Sequence, residues 1–172
     1  MHILKYLTIF SISLTFNLAL LANDDYLIQT SSGISIGIPK KGVVTWNDIP
    51  YAKPPIKELR WMAPRDINQP DKKLADIDNN FCVQSASSLG GVQSETAIVG
   101  QEDCLFLDIR APINNNNLLP VMFWIHGGGN TSGLKDLYDF SGLVKTQNLI
   151  VVSINYRSVS YTHLTLPTIC SV

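Results

Sequence analysis

The chain has 172 residues, of which 45% are hydrophobic and 16% are charged, and its formal net charge is −1. This composition is typical of one soluble globular domain and excludes a largely disordered chain. Lysines occur as isolated pairs at 40–41 and 72–73, so no basic patch indicates a nucleic acid or another acidic partner.

The first 22 residues have the features of a secretory signal peptide. A single lysine, Lys5, precedes an uncharged apolar run that ends in the small residue Ala22, and the polar sequence NDD follows. We therefore expect cleavage after Ala22 and export of the protein to the periplasm or the exterior, with no membrane association afterwards. The alternative is an uncleaved anchor, because residues 6–22 are only slightly shorter than a membrane-spanning helix.

Residues 25–64 change from an alternating pattern to a proline-rich one. Residues 25–38 alternate apolar and small polar residues around a Ser-Ser-Gly turn, which predicts a β-hairpin. Four prolines in the stretch 43–64 predict an extended surface segment rather than a helix or a central strand. Within the hairpin, GISIG at 33–37 matches the pattern of a serine-nucleophile turn, but no helical pattern follows. We therefore expect Ser35 to be a solvent-facing strand residue.

The second half of the chain predicts strands and one short helix. Residues 104–112, 121–127 and 149–157 have the composition of strands, and the last two lack alternation, which predicts burial on both faces. Apolar residues at helical spacing predict a helix over 137–148. Two buried strands joined by a glycine loop and a helix indicate a right-handed crossover in a covered sheet, so the predicted fold class is α/β.

The sequence HGGGN at 126–130 is the strongest candidate for a functional site. Glycine after a buried strand permits positive φ and lets backbone N–H groups approach a ligand closely. Such groups can bind the oxyanion of an acyl-transfer reaction, where each donor contributes about 3 to 4 kcal/mol in the transition state. The alternatives are a purely structural turn and a phosphate-binding loop, although the known phosphate-loop patterns do not fit.

Four blocks of this sequence are, in chain order, IPYAKPPIKELRWMAP, QEDCLFLDIRAP, PVMFWIHGGGNTSG and LIVVSINYR. They resemble the type-B carboxylesterases and lipases, the α/β-hydrolase family that includes the cholinesterases. The blocks occur in the family's order and cover nearly all of the chain after the signal peptide, here residues 23–158. The resemblance implies the N-terminal portion of an α/β-hydrolase domain, with a β-hairpin and the first strands of the central sheet.

The resemblance implies a role for each residue of the glycine loop. Gly128 and Gly129 would supply two oxyanion N–H groups, and Gly127 would enable the turn. In the family the catalytic histidine lies far downstream, so His126 would fix the loop by packing or by a hydrogen bond. The resemblance implies no cofactor and no metal ion.

The resemblance also implies two structural pairs, and the sequence departs from the family in two respects. Cys82 and Cys104 match the family's first disulfide, and Arg60 and Glu102 match an ion pair of the family. Asp48 departs from the family, because it stands where the family usually has glycine. No tryptophan lies between the two cysteines, so an aromatic surface for a quaternary ammonium is missing and a choline ester is not a favoured substrate.

Residues 159–172 are predicted not to be native. The sequence VSYTHLTLPT at 159–168 is the translation of a common transposase sequencing adapter, and the alternative is a divergent C-terminus. On this interpretation His163 and Cys170 have no function, and two cysteines remain that can pair.

The expected function is that of an exported serine carboxylesterase or lipase, which hydrolyses a small-molecule carboxylic ester through an acyl-enzyme. The nucleophile, the acid and the base of that mechanism are not identified in these 172 residues, so we expect the chain by itself to be inactive. The alternatives are a non-catalytic, cholinesterase-like binding or adhesion protein and a small binding module. An elbow serine downstream of residue 158 would exclude the adhesion protein.

Overall fold

The computed structural model describes residues 26–88, 91–113 and 117–158. The predicted signal peptide and the segment 159–172 lie outside these ranges. Within the described ranges, no helix has the length and apolarity that crossing a bilayer requires. The elements in chain order are β1 (Leu27–Thr30), β2 (Gly33–Ile36), β3 (Ile38–Lys40), β4 (Val43–Pro50), a 3-10 turn (Lys57–Leu59), β5 (Gln84–Ser85), β6 (Ile98–Val99), β7 (Phe106–Pro112), β8 (Val121–Ile125), α1 (Ser141–Gln147) and β9 (Ile150–Ile154).

A five-stranded sheet organises the described chain in the order β3-β4-β7-β9-β8. The β8 and β9 strands are parallel, as the crossover pattern predicts, and the other neighbours are antiparallel. Helix α1 joins the two parallel strands and buries Val144 against Val43 and Val151 of the sheet. The predicted hairpin is also confirmed, since β1 and β2 pair in antiparallel fashion.

Strand β4 corrects the expectation that residues 43–64 form an extended surface segment. It pairs with β3 on one side and with β7 on the other, and Val43 and Ile49 are buried. The prolines do not prevent this pairing, because Pro50 is the last residue of the strand and the others follow it. Pairing with β7 is irregular just before Ile49, where Asp48 adopts a φ of 53°.

Strand β8 is exposed on one face, although the sequence predicts burial on both. The side chains of Val121, Phe123 and Ile125 are each more than half exposed. Met122 points to the opposite face and packs against the core around Val144. The exposure arises because the described chain leaves that face of β8 largely uncovered. An unbroken apolar run therefore does not by itself show that both faces are covered.

Two smaller expectations also differ from the structure. Ser35 is buried rather than solvent-facing, and the segment 72–74 pairs with the edge of the same strand through both backbone groups of Ile34. As expected, the strand is followed by β3 and not by a helix. Helix α1 begins at Ser141, four residues after the predicted start at 137.

A disulfide joins Cys82 to Cys104 and ties the start of β5 to the start of β7. Both cysteines are buried, and they pack against Ala52 and Leu105. Nearby, the guanidinium group of Arg60 contacts the carboxylate of Glu102. Both of those side chains are partly exposed, so the ion pair adds little stability.

Replacing both cysteines, Cys82→Ser with Cys104→Ser, should lower the free energy of unfolding by about 3 kcal/mol. The bridge spans 22 residues, and a loop of that length restricts the unfolded chain by roughly this amount. Urea denaturation of the variant and of the reduced wild type should give the same midpoint. Equal midpoints for the oxidised wild type and the variant would contradict the prediction.

Candidate functional site

The glycine loop, residues 126–133, leaves the sheet at the carboxyl end of β8. Because β8 and β9 are parallel and pair up to Ile125 and Ile154, the carboxyl end of β9 lies beside the start of this loop. Loops at the carboxyl ends of parallel strands are the usual place for ligand sites in α/β sheets.

Two glycines of the loop have positive φ angles, 114° at Gly128 and 61° at Gly129. A Cβ atom on Gly128 would lie 1.9 Å from the carbonyl oxygen of Ser132, whereas Gly127 and Gly129 face open space. Asn130 also has a positive φ, 60°, which asparagine tolerates better than most residues. Position 128 therefore requires glycine for both conformational and steric reasons.

The backbone of the loop presents N–H groups outward. The Gly128 carbonyl accepts hydrogen bonds from the N–H groups of Thr131 at 3.0 Å and Ser132 at 3.2 Å. The N–H groups of Gly128 and Gly129 have no hydrogen-bond acceptor within the described part of the chain, and both glycines are exposed. Two successive N–H groups that lack acceptors can bind an anionic oxygen.

His126 is buried between the loop and the residues that follow β9. Its ring stacks on the ring of Tyr156 at a centroid distance of 4.2 Å, and the Tyr156 hydroxyl donates to the His126 carbonyl at 2.7 Å. Nδ1 lies 2.9 Å from the Gly127 carbonyl, which can only accept, so Nδ1 carries the proton. Burial lowers the pKa of His126, which keeps the ring neutral. These contacts fix the loop and leave His126 without a nucleophile partner among the described residues.

The far end of the loop is held by Gln84, which sequence analysis did not identify. The Gln84 side chain is buried, and its amide forms hydrogen bonds of 2.8 and 2.9 Å with the N–H and carbonyl groups of Gly133. Gly133 lies against the His126 ring so closely that a Cβ atom would come within 2.1 Å of Nδ1. No motif marks a buried glutamine on a two-residue strand, so the sequence carried no signal for it.

A buried ion cluster lies directly after the loop and is centred on Lys135. The Lys135 Nζ atom lies 3.0 Å from Asp48, 2.9 Å from Asp108 and 2.9 Å from Asp136, and its side chain is 1% exposed. The Lys135 backbone N–H donates to the side chain of Asn155, which follows β9. Burial alone would lower the pKa of Lys135, but the surrounding carboxylates raise it above its usual value. The cluster therefore anchors the segment after the loop to the sheet.

Asp48 belongs to this cluster at the position where the resemblance implies glycine. Its carboxylate accepts hydrogen bonds from the Ile77 N–H at 2.9 Å and from the Asn80 side chain. Its backbone N–H donates to Asp108 at 3.0 Å. Residue 48 thus keeps the left-handed backbone that suits glycine and adds a carboxylate that faces Lys135. In the described ranges, no group of three or more His, Cys, Asp or Glu side chains could hold a metal ion.

Asp108 is the carboxyl group of the ion cluster whose pKa is raised. Burial, together with the neighbouring Asp136, raises its pKa to about 7 against the opposing charge of Lys135. Burial also acts to raise the pKa of Asp136, but hydrogen bonds and the charges of Lys135 and Arg110 hold it below its usual value. Three carboxylates therefore face two cations, and the proton on Asp108 balances the charges below neutral pH.

Asp108→Asn should weaken the dependence of stability on pH. A folded-state pKa of about 7, above the ordinary 3.8, means that ionisation of Asp108 opposes folding. The stability associated with its protonated form is complete below about pH 4 and is lost as the pH rises through 7. Asparagine keeps the acceptor for Lys135 and removes the charge.

From pH 5 to pH 8, the free energy of unfolding should fall in the wild type by at least about 1.4 kcal/mol more than in Asp108→Asn, the equivalent of one pKa unit. Urea denaturation at both pH values measures this difference. Asp66→Asn, a change at an exposed aspartate, should behave as the wild type. Parallel pH profiles for Asp108→Asn and the wild type would contradict the assignment.

Comparison with known proteins extends these observations. Residues 24–168 match the carboxylesterase family. The para-nitrobenzyl esterase of Bacillus subtilis (strain 168) is 38% identical over 135 residues, which are 76% of this chain and 27% of that protein. The cholinesterase of Mus musculus is 32% identical over 156 residues, 84% of this chain and 26% of that protein. The solved structure of a thermophilic PNB esterase superposes with a TM-score of 0.67 at 35% identity, covering 77% of this chain and 28% of that one. The chain thus spans about a quarter of the length of these relatives.

Proposed function

Because the chain belongs to the carboxylesterase family, we propose that the full-length protein hydrolyses a carboxylic ester and that the glycine loop binds the oxyanion of that reaction. The predicted fold class is confirmed: the described residues form part of an α/β-hydrolase domain. The observation that carries the proposal is the pair of exposed N–H groups at Gly128 and Gly129, which lack acceptors in the described chain.

In the proposed reaction, an activated serine attacks the ester carbonyl carbon and forms a tetrahedral intermediate. Negative charge develops on the former carbonyl oxygen, where the N–H groups of Gly128 and Gly129 donate hydrogen bonds. Collapse of the intermediate expels the alcohol and leaves an acyl-enzyme, which water then hydrolyses through a second oxyanion at the same position. We propose that the nucleophile, the acid and the base come from the remainder of the full-length protein and that these 172 residues are inactive alone.

The proposed substrate is a small-molecule carboxylic ester without a quaternary ammonium group, because no tryptophan lies between Cys82 and Cys104. We also propose that the protein is exported. Two observations support export: the apolar N-terminal segment that ends at Ala22, and the disulfide, which suits an oxidising compartment.

Hydrolysis of p-nitrophenyl butyrate by the purified full-length protein tests the proposed function. We expect turnover that a serine-reactive fluorophosphonate abolishes, and no turnover by the 172-residue chain under the same conditions. Absence of hydrolysis by the folded full-length protein across short and long acyl chains would contradict the proposal and favour a non-catalytic binding protein. Hydrolysis that the fluorophosphonate leaves unchanged would contradict the serine mechanism.

A further inference from the structure

We propose that Gln84 is a positioning residue that sets the direction of the oxyanion N–H groups through Gly133 and His126. The inference rests on the proposed function, since it concerns how the same loop is held. Gln84 lies on β5, outside the glycine loop, and precedes Gly133 by 49 residues in the sequence.

The Gln84 amide matches the backbone of Gly133 in both hydrogen-bonding directions. Its Oε1 accepts from the Gly133 N–H at 2.8 Å, and its Nε2 donates to the Gly133 carbonyl at 2.9 Å. The Nε2 group also donates to the Cys82 carbonyl at 3.0 Å. Both amide protons are therefore used in a buried setting, and a carboxylate of the same shape has no proton to replace them at neutral pH.

Gly133 transmits this constraint to His126 by direct packing. Gly133 has a φ of 133°, and a Cβ atom added to it would lie 2.1 Å from His126 Nδ1. The Gly133 backbone therefore lies directly against the imidazole ring. Tyr156 stacks on the ring at 4.2 Å, and His126 is 5% exposed. The ring orientation is thus fixed by these two neighbours.

The orientation of His126 determines where the Gly128 N–H points. His126 Nδ1 donates to the Gly127 carbonyl at 2.9 Å, and that carbonyl shares one planar trans peptide unit with the Gly128 N–H. The two groups point in opposite directions, so holding the carbonyl toward the ring turns the N–H away from it. In the same way, the bonds from Thr131 and Ser132 to the Gly128 carbonyl orient the Gly129 N–H.

The strand that carries Gln84 is itself anchored at two points. Cys82 is joined to Cys104 by the disulfide, and the Ser158 hydroxyl donates to the Val83 carbonyl at 2.7 Å. Gln84 therefore acts as a fixed support, and a change in its amide should alter the loop more than the strand.

Gln84→Glu and Gln84→Met in the full-length protein test the inference. Glutamate keeps the shape and the acceptor but loses both donors, and methionine is a neutral alternative if the buried charge prevents folding. We expect kcat per folded molecule to fall about ten-fold or more with KM changed less than about two-fold, since the lost interaction acts on the transition state. Affinity for an aryl boronic acid, which mimics the tetrahedral intermediate, should fall in the same proportion as kcat/KM.

Gln93→Glu is the matched control, because Gln93 is an exposed glutamine within the same disulfide loop, and it should leave all these values unchanged. Gln84 variants that lose thermal stability but keep kcat and boronic-acid affinity per folded molecule would overturn the inference. If the wild type has no esterase activity, the proposed function fails. The amide chemical shifts of Gly128 and Gly129 then still test whether Gln84 positions the glycine loop. They should move in Gln84→Met and not in Gln93→Glu, and unmoved shifts in Gln84→Met would overturn the inference.

Discussion

Replacing Lys135 with methionine is expected to lower the free energy of unfolding by about 3 to 5 kcal/mol. The variant would leave the Asp48 carboxylate, which is 3% exposed, without the cation that lies 3.0 Å away, and would remove the donor that faces Asp108 at 2.9 Å. Breaking a buried ion pair from one side is costly because the remaining charges cannot be hydrated. The measurement is urea denaturation at pH 7, monitored by tryptophan fluorescence.

Lys145→Met provides the control for this variant, since Lys145 is an exposed lysine on α1. That change should alter the free energy of unfolding by less than about 0.5 kcal/mol, as is usual for surface positions. If Lys135→Met and Lys145→Met unfolded at the same urea concentration, the ion cluster would not support the segment after the glycine loop.

Gly128→Ala in the full-length protein is expected to lower kcat by about 10² to 10³-fold, the effect of losing one oxyanion donor. The added methyl group would clash with the Ser132 carbonyl oxygen, and the φ of 114° strains any residue with a Cβ atom. The loop must therefore shift, which displaces the N–H groups of residues 128 and 129 together. Ester turnover measured per folded molecule gives the effect.

The control for this prediction is Gly142→Ala on α1, where nothing lies within 4 Å of the added Cβ. Alanine suits a helix better than glycine, so this variant should be as stable as the wild type or more so, by up to about 1 kcal/mol. Turnover by Gly128→Ala equal to that of Gly142→Ala would exclude residue 128 from the oxyanion site.

The sequence predicts the parts of this fold that depend on local patterns. The hairpin of β1 and β2 follows from alternation over a few residues, and the parallel pairing of β8 with β9 follows from strand, loop and helix in succession. The burial of Ser35 and the exposure of Phe123 do not follow, because each depends on whether a distant segment covers that face. Strand β4 does not follow either, because the prolines of 43–64 argue against a strand and only the structure shows that they lie at its end and beyond it.

The candidate site shows the same division. Gly128 and Gly129 could be identified because the family motif is contiguous in sequence. Gln84 and Lys135 could not, since a polar side chain is expected at the surface unless its partners are known, and the partners of Lys135 lie as far away as Asp48. The aspartate at position 48, where the family usually has glycine, is visible in the sequence as a departure, but it does not indicate an ion cluster until its partners are known.

The most direct test of the account is the amide proton NMR signal of the loop glycines when a tetrahedral analogue binds. In the ¹⁵N-glycine-labelled full-length protein, an aryl boronic acid should move the amide protons of Gly128 and Gly129 downfield, because each donates a hydrogen bond to the negatively charged oxygen. The signal of Gly142 should stay in place. Saturating binding of the boronic acid with the Gly128 and Gly129 signals unmoved would contradict the oxyanion assignment.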